Sequence, residues 1–141
     1  MEANIFTVEI TTPERKWAFD QVVSCTAPGV KGGFQVLYNH APLLSQLEIG
    51  EVKIQLQDGS TSLFATSGGF LEVLNNKVSL LLETCERADE IDVDRAQQAA
   101  ERAKKRLQQK DPNIDYARAQ AALQRALNRM KVAKKVVNLA G

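Results

Sequence analysis

The chain has 141 residues, 44% of them hydrophobic and 25% charged, with a formal net charge of +1 at pH 7. These are the proportions of a globular protein, long enough for one domain or for a compact domain with an appendage. No apolar run reaches the ~20 residues of a membrane-spanning helix, and the start MEANIFTVEI lacks the basic, apolar and cleavage regions of a signal peptide. Direct membrane insertion is therefore not expected, and any membrane association is expected to run through a partner.

The small net charge conceals a division. Residues 1–88 hold six Lys or Arg against ten Asp or Glu, a net of −4, whereas residues 89–141 hold twelve against seven, a net of +5. The second region is thus inclined toward anionic partners.

In chain order, the first region reads as β structure. Phe6, Val8 and Ile10 alternate with Thr7 and Glu9, the period of a half-buried strand. Further strands are predicted over Gln21–Thr26, Phe34–Tyr38, Gly50–Leu56, Thr61–Thr66, Phe70–Leu74 and Lys77–Leu82. Asp58-Gly59 and Asn75-Asn76 carry the residues of tight hairpin turns. Short strands at this density, with no helix between them, predict an N-terminal β-sandwich or barrel of about ten short strands rather than a parallel α/β sheet. Cys25 and Cys85 fall in strand-like, apolar surroundings and are expected as buried thiols, neither a disulfide nor half of a metal site.

From Asp92 to Gln109 the residues are strong helix formers, with Val93, Ala96, Ala100, Ala103 and Leu107 recurring at spacings of three and four. Asp92 suits the N-cap, and Asp94 suits the positive end of the helix dipole. Lys110-Asp111-Pro112-Asn113 breaks the helix. A second helix follows over Asp115–Val137, its apolar stripe being Tyr116, Ala119, Leu123, Ala126, Met130, Ala133 and Val137. The two form a C-terminal antiparallel two-helix hairpin. Its alanine seam buries little area, so the hairpin is expected to dock, undock or straighten at modest cost.

The candidate sites are mostly negative. His40, the only histidine, has no companion ligands at metal spacing. Ser67 lies in Ser-Gly-Gly, outside any nucleophile elbow, and Gly68-Gly69 reads as a bend or bulge. Neither a phosphate loop nor a dinucleotide fingerprint is present, so no catalytic residue and no metal site are predicted. The arginines are the exception. Arg95, Arg102 and Arg106 are spaced by seven and four, as are Arg118, Arg125 and Arg129. Residues at such spacings share a helix face, and two facing helices can converge their guanidinium groups on one polyanion.

Three stretches carry a resemblance. Gly32-Gly33-Phe34-Gln35-Val36-Leu37-Tyr38-Asn39-His40-Ala41-Pro42-Leu43-Leu44 looks like G-E-x-G-I-L-P-G-H-A-P-L-L, with departures at Gly33, Gln35, Tyr38 and Asn39. Ser67-Gly68-Gly69-Phe70-Leu71-Glu72-Val73 matches S-G-G-F-x-E-V, and Ile91-Asp92-Val93-Asp94-Arg95-Ala96 fits I/L-D-x-x-R-A. In this order and separation they resemble the epsilon subunits of bacterial F-type ATP synthases over essentially the whole chain.

The resemblance implies a non-catalytic rotor subunit that couples proton-driven rotation to ATP synthesis. Residues 1–88 would bind the gamma subunit and the membrane c-ring, with Gly32, Gly33, Phe34, Tyr38, Asn39 and His40 as a contact loop. Residues 89–141 would be a regulatory hairpin that extends toward the alpha/beta catalytic head and inhibits hydrolysis. It also implies a regulatory ATP site at Glu86, Ile91, Asp92, Arg95, Ala96, Arg102, Arg125 and Arg129. No cofactor would be required, and magnesium dependence is left open. The expected location is the cytoplasmic face of the bacterial membrane, peripherally. A nucleic-acid-binding barrel-plus-hairpin module is the alternative, but the barrel half is acidic and lacks a basic-aromatic stacking surface. A small enzyme would need a paired catalytic constellation that the chain does not offer.

Overall fold

The structure, a computed structural model, describes residues 4–140, with the side chains of 137–140 outside the description. Val137, the last position of the predicted stripe, falls among these. The described residues form nine strands: β1 (Phe6–Thr11), β2 (Lys16–Gly29), β3 (Gly32–Val36), β4 (Leu43–Leu47), β5 (Gly50–Leu56), β6 (Thr61–Thr66), β7 (Gly69–Leu74), β8 (Lys77–Leu82) and β9 (Cys85–Arg87). A 3-10 turn, Ala88–Glu90, leads to α1 (Val93–Gln108) and α2 (Tyr116–Ala140).

The long strand β2 organises the β domain. Its first half pairs with β1, while its second half pairs with β5 on one side and β3 on the other. Val22 stands at the crossing, opposite both Phe6 and Leu56, and the register of β2 shifts there against each neighbour. Gln21, with φ 54°, gives the strand its bend. One layer therefore runs through β1, β8, β7 and β4, the other through β3, β5, β6 and β9. Gly29 opposite Leu47 joins β2 to β4 at the far corner. All pairings are antiparallel except β1 with β8. Ile10, Ile54, Phe64, Leu71 and Leu80 lie wholly buried between the layers, and Trp17 and Phe19 both meet Phe64 edge-on at 5.4 and 6.0 Å.

The turns follow their residues. Asn75 and Asn76 both take positive φ (51° and 59°) between β7 and β8, and Asp58 Oδ1 accepts from Ser60 N at 2.8 Å beside Gly59 (φ +90°). Gly68 and Gly69 have φ of +115° and +150°, and a Cβ on Gly69 would overlap Leu81 O. The Ser-Gly-Gly segment is thus a place where one strand's backbone passes close against its neighbour.

Asp92 Oδ1 accepts from Arg95 N at 3.1 Å and caps α1; Asp115 Oδ1 accepts from Arg118 N at the same distance before α2. The helices pack through Ala96, Ala100 and Ala103 on α1 and Ala119 and Ala126 on α2, all buried. The hairpin meets the β domain through α2, which packs on β5, β6 and the 3-10 turn. Leu63, Ala65, Ala88, Ile91, Val132 and Ala133 form that joint.

Several sequence expectations are corrected here. The nine strands among the described residues agree with the expected β-sandwich of about ten, but β4 and β9 are unexpected, β2 starts at Lys16 and β3 is shifted to Gly32–Val36. Val93 and Tyr116, each 41% exposed, lie outside the helix seam. Val132, 1% exposed, was absent from the predicted stripe. It is buried because α2 has two faces to cover, one toward α1 and one toward the β domain.

Candidate functional site

A cleft of about 390 Å³ opens where α1, α2 and the ends of β6 and β9 meet. Pairing of β9 with β6 sets Glu86 opposite Ala65 and so places its carboxylate at the cleft wall. Arg95 enters from the first turn of α1, Arg125 and Arg129 from successive turns of α2. Ala99, Ala122 and Ala126 also line the cleft, and their short side chains leave it open between the helices. Thr66, Ser67 and Thr84 supply hydroxyls: Thr84 Oγ1 donates to Ser67 Oγ (2.7 Å), and Thr66 Oγ1 donates to Thr84 O (2.9 Å).

Arg129 and Glu86 form the main polar contact across the cleft. Nη2 donates to Oε2 at 3.0 Å, and Nε lies 2.7 Å from Oε1, with the Arg129 side chain only 25% exposed. Two further contacts hold α2 alongside: Asn128 Nδ2 donates to Gly50 O at 2.8 Å, and Lys135 pairs with Glu51. With three guanidinium groups against one carboxylate, the cleft carries a positive excess suited to phosphate or another polyanion.

Of the eight residues predicted for the nucleotide site, Glu86, Arg95, Arg125 and Arg129 share this cleft. Asp92 uses its carboxylate as the α1 cap. Ile91 is buried in the joint between hairpin and β domain, and Ala96 is buried within the hairpin. Arg102 is exposed two turns beyond Arg95 and is not part of the lining. Thr66, Ser67, Thr84 and Asn128 also line the cleft and are not among the predicted residues. Ser67 lies in a segment that reads as a turn, and neither Thr66 at the end of β6 nor Thr84 between β8 and β9 sends a signal of its own.

The predicted contact loop is divided by β3. Gly32 and Gly33 sit at its start beside the β2–β3 turn, and Phe34 is half-buried against the core. Tyr38, Asn39 and His40 follow its other end, five residues or about 16 Å along. There Asn39 (φ 60°) is held by Asn76: Asn39 N donates to Asn76 Oδ1 (2.7 Å) and Asn76 Nδ2 donates to Asn39 Oδ1 (3.0 Å). His40 Nδ1 donates to Ala41 O at 2.7 Å, a local structural bond. Among the described residues no group of three or more His, Cys, Asp or Glu is placed to hold a metal, and no helix is long and apolar enough to cross a membrane.

Comparison with known proteins agrees with this architecture. Residues 5–88 match the family described as ATP synthase, Delta/Epsilon chain, beta-sandwich domain, and residues 89–134 match its long alpha-helix domain. The chain is 43% identical to the ATP synthase epsilon chain of Syntrophomonas wolfei, covering 96% of this chain and 98% of that one. It is 50% identical to that of Pelotomaculum thermopropionicum, covering 89% and 93%. In fold it is similar to a chain in the Euglena gracilis mitochondrial ATP synthase structure, with a TM-score of 0.76 at 22% identity over 86% of this chain and 77% of that chain. A chain in the Tetrahymena thermophila mitochondrial central stalk/c-ring structure follows, with a TM-score of 0.57 at 18% identity over 92% and 94%. With its two regions matched in order and close relatives along nearly its whole length, the chain belongs to the delta/epsilon family of ATP synthase chains.

Proposed function

We propose that this chain is a non-catalytic rotor subunit whose β domain binds the gamma subunit and the c-ring, and whose hairpin restrains ATP hydrolysis under the control of bound ATP. The observation that carries the reading is the cleft of Arg95, Arg125, Arg129 and Glu86, built jointly by the hairpin and the β domain. A ligand in that position favours the docked hairpin, because it touches both parts only when they are together. The phosphates meet the three arginines, and Glu86 addresses the adenosine side, while Asp92 acts indirectly by capping the helix that carries Arg95.

When ATP is scarce, the hairpin leaves the β domain and extends along the stalk, where its cations meet acidic surface on the alpha/beta head and block hydrolysis. The alanine seam supports such a motion, since a buried methyl group stabilises by only about 0.8 kcal/mol. In this reading the subunit lies peripherally at the cytoplasmic face of the membrane and turns with the rotor.

Titrating the full chain with ATP tests the site. Saturable heat or chemical-shift changes at millimolar ATP or below are expected, weakened at least about tenfold by Arg125→Ala; no change at millimolar ATP would sink the nucleotide reading. Deleting residues after Ala88 tests the brake separately. Hydrolysis by the reassembled head at low ATP is expected to rise, and an unchanged rate removes the inhibitory role.

A further inference from the structure

Helix α2 carries Arg118, Arg125, Arg129, Lys131, Lys134 and Lys135 but no Asp or Glu between Tyr116 and Ala140. Such a helix gains no internal ion pairs and sets like charges one turn apart at Arg125 and Arg129. Arg129 and Lys135 find carboxylates on the β domain. Among the described residues, Arg118 and Arg125 make no ion pair, and neither does Arg106 on α1.

Arg106, Arg118 and Arg125 line one groove of about 570 Å³ toward the far end of the hairpin, beside Asn113 and Asp115. Asp115 is the one carboxylate there, and its Oδ1 already accepts from Arg118 N. Arg125 and Ala122 line both this groove and the cleft at Glu86, so the two adjoin at that turn of α2. Arg118 and Arg129 are 11 residues apart, about 16 Å along the helix. A triphosphate, with two P–O–P links between its end phosphorus atoms, does not span that distance.

We propose that cleft and groove form one track for a linear chain of phosphates longer than a triphosphate, free or attached to a nucleoside, with Arg106 and Arg118 as its outer contacts. The inference rests on the cleft being a phosphate site. Unpaired guanidinium groups held on two packed helices repel one another, and a flexible polyanion relieves that repulsion at each successive pair of oxygens. An acidic peptide carries fewer charges per unit length and lacks the tetrahedral oxygens that a planar fork engages in pairs.

The test uses the full chain, about 0.15 M salt, and four probes: ATP, inorganic tripolyphosphate, a longer inorganic polyphosphate and polyglutamate of matched charge. The longer polyphosphate is expected to bind at least about tenfold more tightly than tripolyphosphate, with a steeper dependence on salt. Arg106→Ala with Arg118→Ala is expected to abolish that gain while ATP affinity stays within about twofold, with helix content checked by circular dichroism. Equal affinity for short and long chains, a gain that survives the double substitution, or equally tight polyglutamate would each overturn the track. Normal ATP binding without the chain-length gain overturns the track and leaves the nucleotide reading standing. A long-chain gain that needs Arg106 and Arg118 in a protein indifferent to ATP supports the track and removes the nucleotide reading.

Discussion

Arg129 on α2 reaches Glu86 on β9 through two contacts, Nη2 to Oε2 at 3.0 Å and Nε to Oε1 at 2.7 Å, and this pair joins the hairpin to the β domain. Because the Arg129 side chain is three-quarters covered, removing its partner leaves a cation with incomplete solvation. Glu86→Gln is expected to weaken docking by about 1 kcal/mol. Amide exchange along α2 should then quicken roughly fivefold while that of β1 and β8 stays unchanged. Equal protection of α2 in both proteins would show that the pair does not hold the hairpin.

Val132 is the largest fully buried side chain among the described residues of the hairpin, and it clusters with Leu63, Ala65 and Ile91 at the joint with the β domain. Val132→Ala removes two methyl groups from a joint otherwise rich in alanine and is expected to cost about 1–2 kcal/mol. The loss should appear as faster proteolysis within residues 109–136, with the melting of the β domain little changed. A fall in β-domain stability of the same size would mean that the two parts unfold as one unit.

Much of this arrangement is legible before any coordinates. The capping carboxylate of Asp92 and the alanine spacing place α1 to within a residue at each end, because cap and seam are local chemistry. The strand β4 is not legible: Leu43 and Leu44 stand side by side, and Leu44, 70% exposed, hides the alternation. Three residues are too few for β9 to show a period at all. In the cleft, the spacing of arginines groups Arg95 with Arg102 and Arg125 with Arg129, since each pair shares a helix face. It does not say how far along the hairpin the β domain reaches. That depends on long-range packing of α2 over β6, which brings Arg95 to the cleft and leaves Arg102 beyond it.

Gly69 and Gly59 provide a matched contrast. Both have positive φ, but a Cβ at Gly59 meets nothing within 4 Å, whereas at Gly69 it overlaps Leu81 O on the neighbouring strand. Gly59→Ala is expected to cost about 1 kcal/mol from backbone strain alone. Gly69→Ala must also push β7 from β8, and is expected to cost about 3 kcal/mol or more. Chemical denaturation of the two variants reads the difference directly. Equal midpoints would mean that the sheet accommodates the methyl group by a small shift.

Stability is expected to fall on both sides of a neutral plateau. On the acid side, Glu9 is held below the usual carboxylate range by its hydrogen bond from Lys16, with Lys16 and Lys77 charges adding. Glu90 is lowered by its hydrogen bond from Arg15, and Asp58 by those from Ser60. In each case the unfolded chain takes up a proton at higher pH than the folded one. Their contribution is therefore complete above the unfolded carboxylate range and is lost as pH falls through the lower, folded values. On the alkaline side, burial pushes the thiols of Cys25 and Cys85 up to about 12. For Cys85 the charge of Glu86 adds to burial, and that of Arg15 opposes both. An unfolded thiol ionises near ~8.5, so this contribution is complete below that pH and declines as pH rises toward the folded value. Denaturation midpoints between about pH 3 and pH 11 should trace this profile. Glu9→Gln with Glu90→Gln should flatten the acid flank, and Cys25→Ala should flatten the alkaline one about a lower plateau. A midpoint that rises on acidification would contradict the carboxylate signs, and an alkaline flank unchanged by Cys25→Ala would assign that decline to other groups.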